Sequence, residues 1–228
     1  MVNTDGKHNV EANKVEQREE STATVTWSRM LAGNRRFAQG EAEHPWQDKE
    51  TREGLVDGQS PDAAVLSCSD SRVPPEIIFD EGLGDLFTIR TAGEIIDDAV
   101  QASLEFAIES LHVSLLVVMG HEHCGAVQSA LAALHADESL RAGFSEDNDT
   151  AELVSDSIVV RQVGASILAA QAADLTTTDD FERVHIARTI EHLVSSSSII
   201  QSAIASGRVS MVGARYLLTT GKVEVLSF

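Results

Sequence analysis

Cysteine is scarce in this 228-residue chain: there are two, Cys68 and Cys124, in dissimilar surroundings. A disulfide framework is therefore not expected, and in a reducing compartment both would persist as thiols open to a metal. Lysine is nearly as scarce, with four residues (Lys7, Lys14, Lys49, Lys222), and all basic residues number 17 against 36 acidic ones. The resulting net charge of -19 repels phosphate backbones and anionic membranes, so a nucleic-acid partner is not expected. No secretory apolar region follows MVNTDGKHNV, and the longest apolar stretch, VSLLVVMG at 113–120, falls far short of the roughly 20 residues that span a bilayer. A soluble, cytoplasmic protein with no membrane partner is the expectation. The charge balance leaves two readings open, a surface suited to concentrated salt and an ordinary acidic cytosolic surface.

With 43% hydrophobic residues, the length suits one α/β domain with a full core. Residues 1–23 are polar without an apolar face and read as an amino-terminal arm, leaving 24–228 as the single domain. Helical spacing of Trp27, Met30, Leu31 and Phe37 predicts a helix interrupted at Gly33-Asn34. The runs DAAVLSCSD, DLFTIRTAG and HVSLLVVMGH predict strands of a mainly parallel sheet, buried on both faces. DDAVQASLEFAIESL has the one-sided pattern of a crossover helix, and AVQSALAAL continues as helix after Gly125. RVHIARTIEHLVSSSSIIQSAIA predicts one long helix before the strand RVSMVGARYLL, and TTGKVEVLSF an antiparallel edge strand. The acidic stretch 136–157 reads as a surface excursion.

Both cysteines fall at predicted carboxyl ends of strands, where open α/β sheets bind ligands. Cys68 in CSDSR and His121-x-x-Cys124 in GHEHCGA would, if they converge, supply two thiolates and an imidazole. That set suits zinc, with Asp70 as a conditional fourth ligand. His123 is expected to point away from its neighbours. His8, His44, His112, His135, His185 and His192 lack comparable partners nearby in sequence and are given no role. Gly93 and Gly125 are expected to serve close backbone approach or unusual dihedrals. No phosphate-binding glycine motif is present.

CSDSRV at 68–73, GHEHCGA at 120–126, AGNRRF at 32–37 and RTAG at 90–93 together resemble the β-class carbonic anhydrases, in order and spacing, from about Trp27 onward. The resemblance implies reversible hydration of carbon dioxide by zinc-bound hydroxide, with Cys68, His121 and Cys124 holding the metal and Asp70 with Arg72 as a catalytic dyad. In such a dyad the carboxylate either accepts a hydrogen bond beside the zinc or swings onto it, according to whether the arginine holds it back. Gln59 and Phe87 match substrate-pocket positions. Phe106 stands where tyrosine is usual, and Val65 where bicarbonate-inhibited members carry tryptophan. Thr91 and Glu94 replace residues often seen as asparagine. A homodimer or larger assembly of dimers is also implied. Two other readings remain, a carbon disulfide or carbonyl sulfide hydrolase on the same fold and a noncatalytic zinc or thiol regulatory protein.

Overall fold

A computed structural model describes residues 22–143 and 155–227. Helix α1 (Ala23–Gln39) opens on the Thr22 side chain, which accepts from the Val25 amide, and closes on Gly40 at φ 74°. Short helix α2 (Lys49–Gly54) precedes β1 (Ala63–Cys68), and the single turn α3 (Pro75–Ile78) precedes β2 (Leu86–Thr91). Helix α4 (Asp98–Glu109) leads into β3 (Leu115–His121), followed by α5 (Gly125–Ala136) and α6 (Glu138–Gly143). After the undescribed stretch come α7 (Ile158–Ala172), α8 (Thr178–Ser196), α9 (Ser198–Ala205), β4 (Ser210–Tyr216) and β5 (Val223–Ser227). The arm expected over residues 1–23 lies outside the described residues except for its last two, and so does half of the acidic excursion, residues 144–154.

The strands form one sheet in the order β2-β1-β3-β4-β5, parallel except for the antiparallel β4–β5 pair. Strand alternation sends Ala63, Val65, Leu115 and Val117 to one face, where Trp27 and Met30 of α1, Val127 of α5 and Ile167 of α7 cover them. Ala64, Leu66, Leu116 and Val118 face the other way, onto Leu104 and Ile108 of α4, Leu193 of α8 and Ile200 of α9. Helices thus cover both faces, which is why β1 and β3 are buried throughout and their sequences are continuously apolar. β2, an edge strand, is only half-buried, contrary to its reading as a strand buried on both faces.

Two helix boundaries differ from expectation. Gly33 and Asn34 do not interrupt α1. A side chain at Gly33 would lie 1.8 Å from the Phe79 carbonyl oxygen, so the glycine permits close approach of helix to chain. Asn34, buried, donates to the carbonyls of Ile78 and Gly221 and accepts from the Val223 amide, pinning α1 to the base of β5. The long helix is cut in two at Ser197, whose extended backbone (φ -114°, ψ 112°) ends α8 while its hydroxyl accepts from the Ile200 amide to cap α9. The serine run read as helix interior contains that cap.

Candidate metal centre

β1 and β3 are parallel neighbours, with Ser67 opposite Met119, so their carboxyl ends deliver Cys68 and His121 side by side. A three-residue turn, with His123 at φ 55° and its ring exposed, brings Cys124 back to head α5. The Cys68 and Cys124 sulfurs and a His121 ring nitrogen all lie within 4.8 Å of one another, and all three residues are buried. Four-coordinate zinc, with bonds of about 2.0–2.3 Å, spaces its donors about 3.6–3.8 Å apart, the scale of this cluster.

The protonation pattern fits a metal as well. His121 Nδ1 lies 2.9 Å from the Glu122 carbonyl oxygen, which can only accept, so Nδ1 carries the hydrogen and Nε2 presents its lone pair. That Nε2 is buried and has no partner among the described residues, a cost of about 1–3 kcal/mol unless a ligand takes the lone pair. A hydrogen bond from the Cys124 thiol, with one from the Gly93 amide, draws the Cys68 thiol well below its ordinary range against the opposing effect of burial. The same shared hydrogen bond, with burial, pushes Cys124 upward. Of the two, Cys68 is the one favoured as thiolate, and a bound cation would require both sulfurs to be deprotonated.

Beside the sulfurs, Asp70 accepts three hydrogen bonds from Arg72: from its amide (2.9 Å), Nε (2.9 Å) and Nη2 (2.7 Å). This guanidinium holds the Asp70 carboxyl far below the usual carboxylate range. Arg72 Nη2 also donates to the His123 carbonyl at 3.3 Å, and Asp70 Oδ2 stands 4.0 Å from His121 Nε2. Arg90 clamps the backbone of this loop, donating from Nε to the Cys68 carbonyl (3.0 Å) and from Nη2 to the Asp70 carbonyl (2.6 Å).

Gly93 and Glu94, and four residues given no role from sequence, Asp179, Glu182, His185 and Arg215, surround the cluster. The Gly93 amide donates to Cys68 Sγ at 3.3 Å, and His185 Nε2 lies 2.7 Å from the Gly93 carbonyl oxygen. The Cys124 amide donates to Glu182 Oε1 at 3.1 Å. Buried Arg215 neutralises Glu182 through bonds of 2.6 and 2.9 Å to Oε2 and extends to Asp179 at 2.7 Å. Glu94 is buried with Oε2 unpartnered among the described residues. Burial, then the charges of Cys68 and Glu182, push its carboxyl well above the usual range. Of the two glycines singled out, Gly93 has the unusual dihedral (φ 71°) and the close approach, to Ala126. A side chain at Gly125 would meet nothing within 4 Å, so within one chain its expected role is not needed.

The proposed pocket residues lie elsewhere in the chain. Phe87 pairs with Ala64 near the amino end of its strand, whereas Cys68 pairs with Thr91, four residues or about 13 Å further along. Its ring centroid is 6.2 Å from that of Phe106, which is 47% exposed on α4. Gln59 is exposed before β1, lining an open cleft of about 520 Å³ with Leu55, Val56, Leu83 and Leu86. Val65 is in the core. Within one chain Gln59, Phe87 and Phe106 belong to the amino edge of the sheet, the cluster to its carboxyl edge.

A sequence model described as carbonic anhydrase matches residues 63–223. Carbonic anhydrase 2 of Mycobacterium tuberculosis is 43% identical over 198 residues, covering 87% of this chain and 90% of that protein. The carbonic anhydrase of Mycolicibacterium smegmatis is 41% identical over 207 residues, covering 91% and 95%. Among solved structures, the β-carbonic anhydrase CcaA superposes with a TM-score of 0.63 at 27% identity, covering 88% of this chain and 95% of the other. With the donor cluster at the sheet edge, these likenesses make the chain a member of the carbonic anhydrase family, in its β class.

Proposed function

We propose that this chain interconverts carbon dioxide and bicarbonate, using one zinc ion held by Cys68, His121 and Cys124. The observation that carries the proposal is the meeting of three buried donors, one with a free lone pair, beside a carboxylate that Arg72 holds ionised. Zinc at such a site supplies a Lewis acid that makes water a nucleophile near neutral pH. Asp70 is an acceptor for an O–H of the attacking water, and accepting that hydrogen turns a water lone pair toward the carbon of carbon dioxide. Arg72 keeps both carboxylate oxygens engaged, so Asp70 remains an orienting group rather than a fourth protein ligand. A site whose only task was structural would have no use for that restraint, which weighs against a noncatalytic zinc or thiol module.

Gln59, Phe87 and Phe106 are assigned to the substrate site of a second copy, in a homodimer or an assembly of dimers. Their separation from the cluster supports this, as does the half-buried β2 edge beside exposed Trp46, Val56 and Leu83. There the Gln59 amide would hydrogen-bond a bicarbonate oxygen, Phe87 would wall the carbon dioxide, and Phe106 would lack the hydroxyl of a tyrosine. Val65 leaves no tryptophan for an inhibitory anion pocket. No helix among the described residues is long and apolar enough to cross a membrane.

Stopped-flow carbon dioxide hydration, with zinc stoichiometry measured on the same samples, tests the proposal in wild type and Asp70→Asn. One zinc per chain in both, with activity at least about tenfold lower in the variant, is expected. Zinc-loaded wild type with no hydration activity would overturn the function; an unimpaired Asp70→Asn would overturn the role of the dyad alone.

A further inference from the structure

Helix α8 carries three residues at spacings i, i+3 and i+4 that back the three donor-bearing segments. Glu182 accepts from the Cys124 amide, and His185 holds the Gly93 carbonyl. Ile186 packs on Gly120, where an added side-chain carbon would lie 2.7 Å from Ile186 Cδ1, immediately before His121. Such spacing places all three on one helix face. Apolar packing would account for Ile186, but not for an imidazole only 2% exposed at a position where an apolar residue would cost less.

The hydrogen positions on His185 follow from its partners. Gly93 O only accepts, so Nε2 carries the proton. Burial lowers the ring's affinity for a second proton, which leaves Nδ1 to accept from the Ser166 hydroxyl at 2.9 Å. The Gly93 carbonyl thus selects the tautomer, Ser166 holds the ring from its other nitrogen, and His185 fixes the Gly93 carbonyl. Gly93, at φ 71°, turns its amide onto Cys68 Sγ. A hydrogen bond donated to a thiolate withdraws electron density from sulfur, and so weakens its neutralisation of a bound cation while holding it in place.

We infer that His185 is a positioning residue for the metal centre, acting through Gly93 to set the place and donor strength of the Cys68 sulfur. It touches neither substrate nor metal. The inference rests on the zinc reading above and extends it to a residue 117 positions away in sequence from Cys68.

The test uses full-length protein loaded with zinc or cobalt(II): wild type, His185→Leu, His185→Gln, and Leu193→Ala as a control for core damage two turns along α8. Zinc release to excess chelator, the sulfur-to-cobalt absorption band and Tm are measured for each. His185→Leu removes the donor to Gly93, while Ser166 retains the Gln162 carbonyl at 3.2 Å as an alternative acceptor. It should release zinc on the order of tenfold faster and shift the cobalt band. His185→Gln retains an N–H donor and should restore both toward wild type. Leu193→Ala should lower Tm and leave both readouts unchanged. Wild-type release and an unshifted band in His185→Leu would overturn the inference, as would equal changes in Leu193→Ala. Should His185→Leu not fold, Ser166→Ala replaces it: faster release supports the relay, unchanged release overturns it. Wild type that takes up no zinc would remove the functional reading itself, whereas zinc-loaded wild type beside an unaffected variant removes only the role of His185.

Discussion

Substituting Gly93 by alanine perturbs the metal centre through the backbone alone. At φ 71° the new side chain occupies the left-handed region, which costs an L-residue about 1–2 kcal/mol. Its carbon would also lie 2.7 Å from Ala126 Cβ, an overlap of the kind that costs about 1–3 kcal/mol in packed cores. The sum, about 2–5 kcal/mol, is a large fraction of the roughly 5–15 kcal/mol that holds a domain together, and corresponds to a Tm loss of roughly 4–20 °C at this size. The overlap has a direction. Ala126 lies in the first turn of α5, two residues after Cys124, so relief of the clash pushes one sulfur away from the loop that hydrogen-bonds the other. Urea denaturation of zinc-loaded Gly93→Ala should therefore show the stability loss, and chelator competition should show faster zinc release. Gly125→Ala is the internal control: the added carbon meets nothing within 4 Å, and stability should hold or rise by up to about 1 kcal/mol. A Gly93→Ala protein within about 0.5 kcal/mol of wild type, with unchanged zinc release, would refute this account of the loop.

Arg72→Ala should lower kcat/KM on the order of 10²-fold with zinc content unchanged, because Asp70 loses both side-chain hydrogen bonds and keeps only the backbone one; wild-type turnover would remove the dyad role. Cys68→Ser should lower zinc content below one per chain and abolish hydration, measured by metal analysis beside stopped-flow, and retained zinc with full activity would contradict the ligand assignment. Glu81, raised to about 7 by burial against the opposing charge of Arg29, gives a pH signature in stability. A carboxyl whose folded value exceeds its unfolded one stabilises the fold below the unfolded value, about 4.3, and loses that contribution as pH rises through about 7. Denaturation between pH 5 and 8 should show a loss of up to roughly 3 kcal/mol in wild type and a flatter profile in Glu81→Gln, whereas parallel profiles would count against the shift.

The charge balance, the buried strands β1 and β3, and the local groups CSDSR and GHEHCGA were legible in the chain because each is a short-range pattern. Continuous apolar runs report burial on two faces, and side chains two or three positions apart share a turn. Even there local pattern had limits: Gly33 resembles a helix breaker until the Phe79 carbonyl against it is known, and the serine run conceals the cap at Ser197. The meeting of Cys68 with His121 depended on β1 and β3 being adjacent and parallel, which topology decides. Separation of Gln59, Phe87 and Phe106 from the cluster likewise follows from which end of a strand each occupies. His185 and Glu182 gave no signal at all, because their partners are 92 and 58 residues away, and hydrogen bonds across such intervals exist only once helices pack. Donor chemistry is thus written in neighbouring residues, while the restraint on those donors comes from chain segments brought together by burial of the two core faces.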